Sequence, residues 1–429
     1  MYISKITLKN IRGFESLEFN LDRGKGEFAG WTVFTGSNGS GKSTLLKAIA
    51  FCLLPINARF RLQPNFEYFQ RKNSISPDKR IELVFSRCQA DDSEPDTRSS
   101  RRAGYTEVVS FIESGGMSVD GIFVEQDLPT PKKEPPKPLV GWFACGYGPL
   151  RRITSPNPNV EEVMRTKNTE RFATLFLEAA TLAEVDPWLT KLKFEELEKS
   201  TGAANQLAFF LDLIQDSFLP DGYTVDRVDS KGLWLRDPHG IELSWNEMSD
   251  GQRVALALTA DVIRHMIGTY GIDGLYERDK DGKIYIKRSG VVLIDEIDAH
   301  LHPAWQREIG FWLKRHFPNV QFLVTSHSPI IVQAADPNGL FVLPEPGSED
   351  EPRALTPEEY LKVITSRPDT ILRSPAFGNM PNTRSEPMVE KRARYSRLQA
   401  KKRAGGKLSA AEAHELMDLL PFVSTDEGE

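Results

Sequence analysis

An eight-residue stretch near the N-terminus constrains this chain more than any other feature. Residues 36–43 read Gly-Ser-Asn-Gly-Ser-Gly-Lys-Ser and match the pattern G-x-x-x-x-G-K-[ST] at every fixed position. An apolar strand pattern over 31–34 precedes the stretch, and a helical pattern over 43–54 follows it. In that context the loop turns backbone N–H groups toward a phosphate, and the positive end of the helix adds to the anion site. The sequence therefore predicts an α/β fold built around a nucleotide phosphate site.

The residue types in this loop predict ATP and Mg²⁺ as its cofactors. Lys42 places a positive charge on the β- and γ-phosphates, and the Ser43 hydroxyl is offered to Mg²⁺. The other residues expected to line the nucleotide are Gly36, Asn38, Gly39, Ser40, Gly41 and Thr44. The alternative, a glycine-rich turn without a ligand, is disfavoured by the motifs that follow in the chain.

A continuous apolar run ends in two acidic residues at positions 291–296, V-V-L-I-D-E. Apolar runs of this kind are typical of buried parallel strands. The run looks like a Walker B strand, in which Asp295 would hold Mg²⁺ through water and Glu296 would polarise the attacking water. Alone, it could equally be a strand ending in two solvated acids, but the phosphate loop favours the catalytic interpretation.

Residues 248–253, Met-Ser-Asp-Gly-Gln-Arg, resemble the ABC signature, usually written Leu-Ser-Gly-Gly-Gln. Ser249 can cap the helix that follows and, with Gly251 and Gln252, face the γ-phosphate bound by another subunit. Met248 replaces Leu, and Asp250 replaces Gly. An acid beside a γ-phosphate is unfavourable unless its side chain turns away. The alternative is an ordinary helix N-cap.

His327 ends a second buried strand pattern within Thr-Ser-His-Ser-Pro (325–329). It resembles the switch histidine of ABC ATPases, which senses the γ-phosphate; the alternative is a loop histidine without a role. The segment 297–303 occupies the place of the dimer-contacting loop after Walker B. Its two histidines, His300 and His302, have no third ligand nearby in sequence, so structural and interface roles are favoured over zinc.

The glutamine that usually bridges the nucleotide and the helical lobe in this superfamily has three candidates. They are Gln63, Gln70 and Gln126. The strand that ends at Gly146-Tyr147-Gly148 occupies the expected place of that loop, and it carries no glutamine.

These motifs, in this order, resemble the ABC ATPase heads of the SMC, RecF and OLD groups. A narrower resemblance rests on GYGPLRR, ERFATLF, LWLRDPHGIELSWNEMSDGQR, LIDEIDAHLHP and the segment beginning ILRSPAFGNMPNTRS. These segments look like the ATPase subunit of Septu-type anti-phage systems, which also occurs with some retrons. The resemblance implies an α/β, ABC-type P-loop ATPase head with a mixed sheet, an inserted helical lobe and a helical C-terminal tail. It also implies a homodimer or higher even oligomer around two ATP–Mg²⁺ and a separately encoded HNH nuclease as partner.

We expect four regions along the chain. Residues 1–155 form the first part of the head with a β-rich insertion, and 156–220 form the helical lobe. Residues 221–343 complete the head, and 356–429 form a basic, helical tail that binds a partner. The last region contains 391–407, which carries eight basic residues and no acid.

That basic stretch is a candidate contact for a partner protein or for nucleic acid. The alternative is a solvated helix face. Tyr395 and Leu398 form a small apolar stripe that could dock on a partner, and Arg151 with Arg152 forms a smaller basic site that could contact nucleic acid or nucleotide. Since the net charge of the whole chain is −6, any nucleic-acid contact must come from such a local patch.

Several classes of protein are disfavoured by the rest of the chain. No run approaches the roughly 18 apolar residues of a membrane span, and the N-terminus lacks the apolar core of a signal peptide. The three cysteines, Cys52, Cys88 and Cys145, are far apart and are predicted to be reduced thiols of a cytoplasmic protein. An OLD-type enzyme would need a D-x-D motif after His327, and 330–429 contains none. The alternative that stays open is a RecF- or SMC-like DNA-repair or DNA-clamp ATPase without a nuclease partner.

Overall fold

The computed structural model describes residues 1–63, 65–72, 76, 78–86, 91, 104–111, 122–126, 142–153, 160, 162, 166–182, 185–345, 347–380 and 383–422. The chain divides into two compact units, Met1–Gly378 and Asn379–Glu429.

The strands, in chain order, are β1 (Tyr2–Ile11), β2 (Phe14–Asn20), β3 (Gly30–Thr35), β4 (Arg80–Ser86), β5 (Gly104–Phe111), β6 (Ile122–Gln126), β7 (Ala144–Tyr147), β8 (Thr224–Asp229), β9 (Gly232–Arg236), β10 (Glu242–Ser244), β11 (Tyr276–Arg278), β12 (Ile284–Ile286), β13 (Gly290–Ile294), β14 (Val320–Thr325), β15 (Leu340–Val342) and β16 (Arg353–Ala354). The helices are α1 (Lys42–Leu53), α2 (Ile56–Leu62), α3 (Lys167–Glu170), α4 (Ala173–Phe176), α5 (Val185–Leu197), α6 (Thr201–Gln215), α7 (Asp250–Tyr270), α8 (Pro303–His316), α9 (Pro357–Thr365), α10 (Pro368–Leu372), α11 (Glu386–Arg403) and α12 (Ala410–Leu419).

A six-stranded mixed sheet forms the centre of the first unit, in the order β16-β15-β3-β14-β13-β7. The five strands from β15 to β7 are parallel, and β16 is antiparallel at the edge. Every residue of β3, β13 and β14 is buried, as expected for strands that are covered on both faces. Because these strands are parallel, the loops that follow β3, β13 and β14 meet at one edge of the sheet.

A second, antiparallel sheet has the order β2-β1-β4-β5-β6. One hydrophobic cluster contains side chains of this sheet, of helix α1 and of the central sheet, including Ile6, Leu46 and Leu293. Nine of the twelve residues of α1 are buried, so the helix that begins at Lys42 is fixed by packing along most of its surface. This packing holds the start of the helix in place.

A second hydrophobic cluster combines the helical lobe (α5 and α6), the hairpin β8–β9 and helices α7 and α8. Helix α6 begins after Ser200, whose side chain accepts a hydrogen bond from the N–H of Ala203. The hairpin turns at Gly232, where φ is 104° and an added Cβ would overlap the Asp186 carboxylate. Glycine is therefore required both by the backbone conformation and by the close contact with the lobe.

The second unit pairs helices α11 and α12. Ser409 and Glu412 form a capping box at the start of α12. Glu415 and Glu412 accept hydrogen bonds from Arg394 and Lys401 of α11, at 2.9 and 2.7 Å. Part of the basic charge predicted for 391–407 is therefore neutralised by acids of the next helix.

The prediction that Leu398 could dock on a partner is wrong for this residue. Leu398 is only 3% exposed and is therefore not part of an exposed apolar stripe. Tyr395, its predicted companion, is half-buried, and its hydroxyl accepts a hydrogen bond from Gln399 Nε2.

The predicted fold class, an α/β ATPase head with a mixed sheet, is confirmed. The predicted strands over 2–22, 31–34, 291–296 and 321–327 are β1 with β2, β3, β13 and β14. The four predicted regions stay predictions. Residues 357–377 contribute Val363, Ile371 and Ala376 to the core of the first unit.

Cys52 and Cys145 are buried free thiols, whereas Cys88 lies outside the described residues. No helix in the described part of the chain is long and apolar enough to cross a membrane.

Candidate functional site

The loop between β3 and α1 has the backbone that a phosphate loop needs. Gly36 and Gly41 have φ values of 146° and 97°, which favour glycine. An added Cβ on Gly41 would lie 2.5 Å from the ring of Phe14, and one on Gly36 would lie 2.5 Å from the carbonyl oxygen of Leu343. Both glycines are therefore fixed by conformation and by close packing.

Lys42 is buried, 6% exposed, and folds back over its own loop. Its Nζ donates hydrogen bonds to the carbonyl oxygens of Gly36 and Ser37, at 2.8 and 2.9 Å. Burial lowers the pKa of Lys42, while the negative charges of Asp295, Glu296 and Asp298 act to raise it. The ammonium group thus faces the acids that follow β13.

Two hydroxyl groups of the loop are buried and have no hydrogen-bond partner in the described structure, Ser37 Oγ and Ser40 Oγ. Buried polar groups are nearly always paired. Ser43 and Thr44 are half-buried at the start of α1, and Asn38 and Gly39 are exposed. The loop therefore has the free polar atoms that a bound phosphate would satisfy.

Asp295 and Glu296 follow β13 directly. Asp295 is fully buried, and its Oδ1 accepts a hydrogen bond of 2.6 Å from Thr325 Oγ1. Its other oxygen, Oδ2, is buried without a partner among the described residues. Glu296 is half-buried and has φ 46°, and its N–H donates to the same Thr325 hydroxyl at 2.7 Å. One threonine hydroxyl therefore connects both acids to the neighbouring strand.

His327 lies on the loop after β14, next to the same acids. Burial lowers its pKa below the usual 6.5, the positive charge of Lys42 lowers it further, and the carboxylate of Asp298 acts to raise it. The ring is therefore neutral at pH 7. The side chain of Asp298 fixes the loop, because its Oδ1 accepts hydrogen bonds from Ser326 Oγ at 2.7 Å and from the N–H of His327 at 3.3 Å.

Gln306 gives the loops after β13 and β14 a second connection. Its Nε2 donates to the carbonyl oxygen of Leu301 at 2.8 Å, and its Oε1 accepts a hydrogen bond from Ser328 Oγ at 2.6 Å. His302 caps α8 through its Nδ1, which accepts from the N–H of Ala304. No group of three metal-binding side chains occurs among the described residues. His302 thus stabilises the start of α8 in the described structure.

Arg151 is not part of an exposed basic site, so that prediction is wrong for this residue. Arg151 is 2% exposed, and its guanidinium donates hydrogen bonds to the carbonyl oxygens of Asp295 and Glu296, both at 2.9 Å. Sequence alone does not distinguish a buried arginine from an exposed one in a basic doublet.

The signature motif begins helix α7. Ser249 and Gln252 form a capping box, in which the Ser249 hydroxyl accepts from the N–H of Gln252 and the Gln252 side chain accepts from the N–H of Ser249. Met248 is buried in the hydrophobic core, as leucine would be. Asp250 is highly exposed and pairs with Arg253 one turn later. This ion pair offsets the acidic charge that replaces the usual glycine.

Gly251 lies against the loop after β13, since an added Cβ would be 2.6 Å from the carbonyl oxygen of His300. Among the residues described, no hydrogen bond or ion pair connects 249–252 with the phosphate loop 36–43. Within one chain Lys42, Asp295, Glu296 and His327 lie within electrostatic reach of one another, whereas the hydrogen bonds of the Ser249 hydroxyl in the described residues are to Gln252 of its own helix.

Two of the three candidate bridging glutamines, Gln63 and Gln70, have no observed hydrogen bond to the phosphate loop in the described structure. Gln63 donates to the carbonyl oxygen of Asn65, and Gln70 accepts a hydrogen bond from Lys79. Gln126 ends β6, the outer strand of the antiparallel sheet. Next to β13, the loop after β7 carries Arg151 instead.

Two family models match this chain. Residues 142–333 match the family model described as "AAA domain, putative AbiEii toxin, Type IV TA system", and residues 5–116 match a second model, "AAA domain". The two matches cover the phosphate loop and the strands that carry Asp295 and His327.

The chain is 26% identical to the Septu protein PtuA of Bacillus mycoides (strain KBAB4), a match covering 77% of this chain and 38% of that protein. It is 24% identical to the Retron Vc95 probable ATPase of Vibrio cholerae serotype O1 biovar El Tor, over 77% of this chain and 72% of that one. The chain thus matches little more than a third of the length of the Bacillus mycoides relative. Among solved structures, an SmcHead bound to the C-winged helix domain of ScpA covers 84% of this chain, with a TM-score of 0.46 and 15% identity. The predicted resemblance to Septu and retron ATPases is confirmed, and the AAA models and the ATPase-named relative support ATP hydrolysis.

Proposed function

We propose that this chain binds and hydrolyses ATP at the carboxyl edge of its central sheet. The observation that carries the proposal is the meeting of Lys42, Asp295, Glu296 and His327 around buried polar atoms that have no partner in the described structure. Lys42 would exchange its bonds to the loop carbonyls for the β- and γ-phosphates. Gly36, Asn38, Gly39, Ser40, Gly41 and Thr44 would surround the phosphates with N–H and hydroxyl groups.

The residues present fit a Mg²⁺ ion. Asp295 has one buried carboxylate oxygen held by Thr325 and one without a partner, and the Ser43 hydroxyl begins the neighbouring helix. Asp295 and Ser43 would hold the ion, Asp295 through water. Bound Mg²⁺ neutralises charge on the β- and γ-phosphates.

Glu296 would accept a proton from the attacking water. Its backbone is fixed by Thr325, so its carboxylate extends from a rigid point beside Asp295. His327, neutral at pH 7, can donate or accept a hydrogen bond at the γ-phosphate without adding charge. The positive charge that the transferred phosphoryl group requires would come from Lys42 and Mg²⁺.

Each site would be completed by a second copy of the chain. Ser249, Gly251 and Gln252 stand at the positive end of α7, a 21-residue helix, and have no hydrogen bond to the phosphate loop of the same chain in the described residues. A head-to-head homodimer, or a higher even oligomer, would bring this helix end to the γ-phosphate held by the partner. Arg253 pairs with Asp250 and offsets its negative charge, which would otherwise repel the γ-phosphate.

The biological role that we propose is control of a separately encoded HNH nuclease in anti-phage defence. Support comes from the relatives named as a Septu protein and a retron ATPase. The basic segment 391–407, which begins within α11 and ends after it, is the candidate contact for the nuclease or for nucleic acid, since Arg397, Lys402, Arg403 and Lys407 are exposed. A DNA-repair clamp without a nuclease remains the alternative.

One experiment tests both the proposed ATP hydrolysis and the proposed nuclease partner. The chain is purified alone and together with a candidate HNH protein from a neighbouring gene, and ATP hydrolysis and DNA cleavage are measured with wild-type chain and with Glu296→Gln. We expect hydrolysis by the wild type only, a stable complex with the HNH protein, and cleavage that depends on the nucleotide state. A wild-type chain that does not hydrolyse ATP would overturn the ATPase assignment, whereas hydrolysis without complex formation would favour the clamp.

A further inference from the structure

The loop after β7 carries a buried arginine that no substrate group explains. Four main-chain carbonyl oxygens of the segment 295–299 accept hydrogen bonds from Arg151, those of Asp295, Glu296, Ile297 and Ala299, at distances of 2.9, 2.9, 3.4 and 3.0 Å. Its remaining bond is to the carbonyl oxygen of Gly148, at 3.3 Å. One side chain therefore holds the path of the whole segment that contains the catalytic acids.

The chemistry of this contact requires arginine. The guanidinium has five N–H donors in a fixed plane, so it can bind several carbonyl oxygens at once, which a lysine ammonium cannot match in geometry. Burial lowers the pKa of Arg151 to about 10, and the nearby charges of Asp295, Asp298 and Glu296 act to raise it. The side chain is therefore still charged at neutral pH, although no carboxylate among the described residues forms a hydrogen bond with it.

The segment needs such support because part of its backbone is in an unfavourable conformation. Glu296 and His300 have φ values of 46° and 68°, in the left-handed region that residues with a side chain seldom occupy. Arg151 binds the carbonyl oxygen of Glu296 itself, and Thr325 binds its N–H. The peptide groups on both sides of Glu296 are thus held by two side chains, one from the loop after β7 and one from the end of β14.

The chain on both sides of Arg151 is held by the segment 171–182. The N–H of Gly146 donates to the carbonyl oxygen of Arg171 at 2.8 Å, and the N–H of Leu182 donates to that of Arg152 at 2.7 Å. Gly148 lies so close to the carbonyl group of Thr174 that no Cβ could fit. The arginine therefore projects from a loop that is fixed between this segment and the catalytic segment.

We propose that Arg151 is a positioning residue for hydrolysis: it fixes the backbone of 295–299 and thereby aims the Glu296 carboxylate at the attacking water, without touching the nucleotide. This inference rests on the proposed ATPase function. Displacement of a catalytic group by about 1 Å can lower a rate about 100-fold, whereas nucleotide affinity depends on the separate phosphate loop. Loss of Arg151 should therefore lower kcat and leave ATP affinity nearly unchanged.

The test compares Arg151→Gln with Arg59→Gln. Arg59 is a matched control, since it is also buried and donates to the main-chain carbonyl oxygens of Leu54 and Cys52, away from the catalytic segment. We expect Arg151→Gln to lower kcat at least about 30-fold and to leave the Kd for ATP within about 3-fold of wild type. Arg59→Gln should lower the melting temperature but keep kcat. Equal effects of the two variants on kcat, or a kcat of Arg151→Gln within about 3-fold of wild type, would overturn the proposal.

Arg151→Lys serves if the glutamine variant does not fold, because lysine keeps the charge and much of the volume. It should fold and still lose most turnover, because the three N–H donors of one ammonium cannot reproduce the planar set of bonds to four carbonyl groups of 295–299. Full turnover in Arg151→Lys would contradict the role of the guanidinium fork. Hydrogen exchange separates this inference from the ATPase proposal, since it needs no activity. In the Arg151 variants the amides of 295–301 should exchange faster, with those of 36–45 unchanged. Unchanged exchange at 295–301 would overturn the positioning role even in a chain that hydrolyses ATP.

Discussion

The hydroxyl of Thr325 donates a 2.6 Å hydrogen bond to Oδ1 of Asp295, across the boundary between β14 and β13. The hydroxyl oxygen of Thr325 also accepts a hydrogen bond from the N–H of Glu296, so one side chain orients the carboxylate proposed for Mg²⁺ and anchors the residue proposed to activate water. This contact also leaves the second carboxylate oxygen of Asp295 without a protein partner in the described structure, and thus open to an ion.

Thr325→Val should lower turnover about 10- to 100-fold, since groups that orient metal ligands typically have effects of this size. Valine has nearly the same shape but cannot form either hydrogen bond. Thr325→Ser is the matched control, because it keeps the hydroxyl, and should retain most activity. Steady-state ATPase assays at several Mg²⁺ concentrations give the comparison. Equal activity of the valine and serine variants would refute this role.

Lys42→Ala and Glu296→Gln should separate binding from chemistry. Lys42→Ala removes the cation that faces the phosphates and should abolish nucleotide binding. Glu296→Gln should keep ATP binding but lower kcat about 10²- to 10⁴-fold, the usual contribution of a general base. Binding is measured by calorimetry and turnover by phosphate release. Wild-type turnover in Glu296→Gln would show that another group activates the water.

A mixture of two inactive chains tests the shared site. Lys42→Ala and Ser249→Arg each disable both sites of a homodimer. In a mixed dimer one site carries both defects and the other carries neither, so the mixture should regain part of the wild-type ATPase activity. The mixed dimers are verified by two different affinity tags. If they form and remain inactive, the contribution of Ser249 from a second subunit is wrong.

Removal of residues 385–429 should leave ATP affinity nearly unchanged, because all the proposed nucleotide contacts lie in the first unit. Binding of the nuclease partner or of DNA should weaken. If DNA is the ligand, the affinity of the full chain should fall with salt at a logarithmic slope of about −0.9 per phosphate contact. A truncated chain that binds the HNH protein and DNA as well as the full chain would refute the role of the tail.

The stability of the chain should depend on His327 at acidic pH. Its pKa in the folded protein is below 6.5, the usual value, so the unfolded chain binds a proton more readily as the pH falls. The free energy of unfolding of wild type relative to His327→Gln should therefore be constant above pH 6.5 and decrease below it. Urea unfolding at a series of pH values measures this difference. A relative stability that rises on acidification would show that the histidine is protonated in the folded state.

Two predictions from sequence depended on exposure and were wrong for that reason. The sequence predicts a basic site that contains Arg151 and a docking stripe that contains Leu398. In the structure both side chains are buried. A charge or an apolar residue in a sequence has no fixed environment until other segments pack on it. The bonds of Arg151 to Asp295 connect residues 144 positions apart, and the acids that neutralise part of α11 come from the following helix.

The local elements of the site can be predicted from the amino-acid sequence. The phosphate loop, the apolar strand before the two acids and the helix cap at Ser249 are contiguous patterns whose chemistry depends on neighbours in the chain. The arrangement of these elements in space depends on the tertiary fold. The parallel order of β3, β14, β13 and β7 brings Thr325, Asp295 and Arg151 together, and that pairing depends on long-range packing that no local pattern encodes.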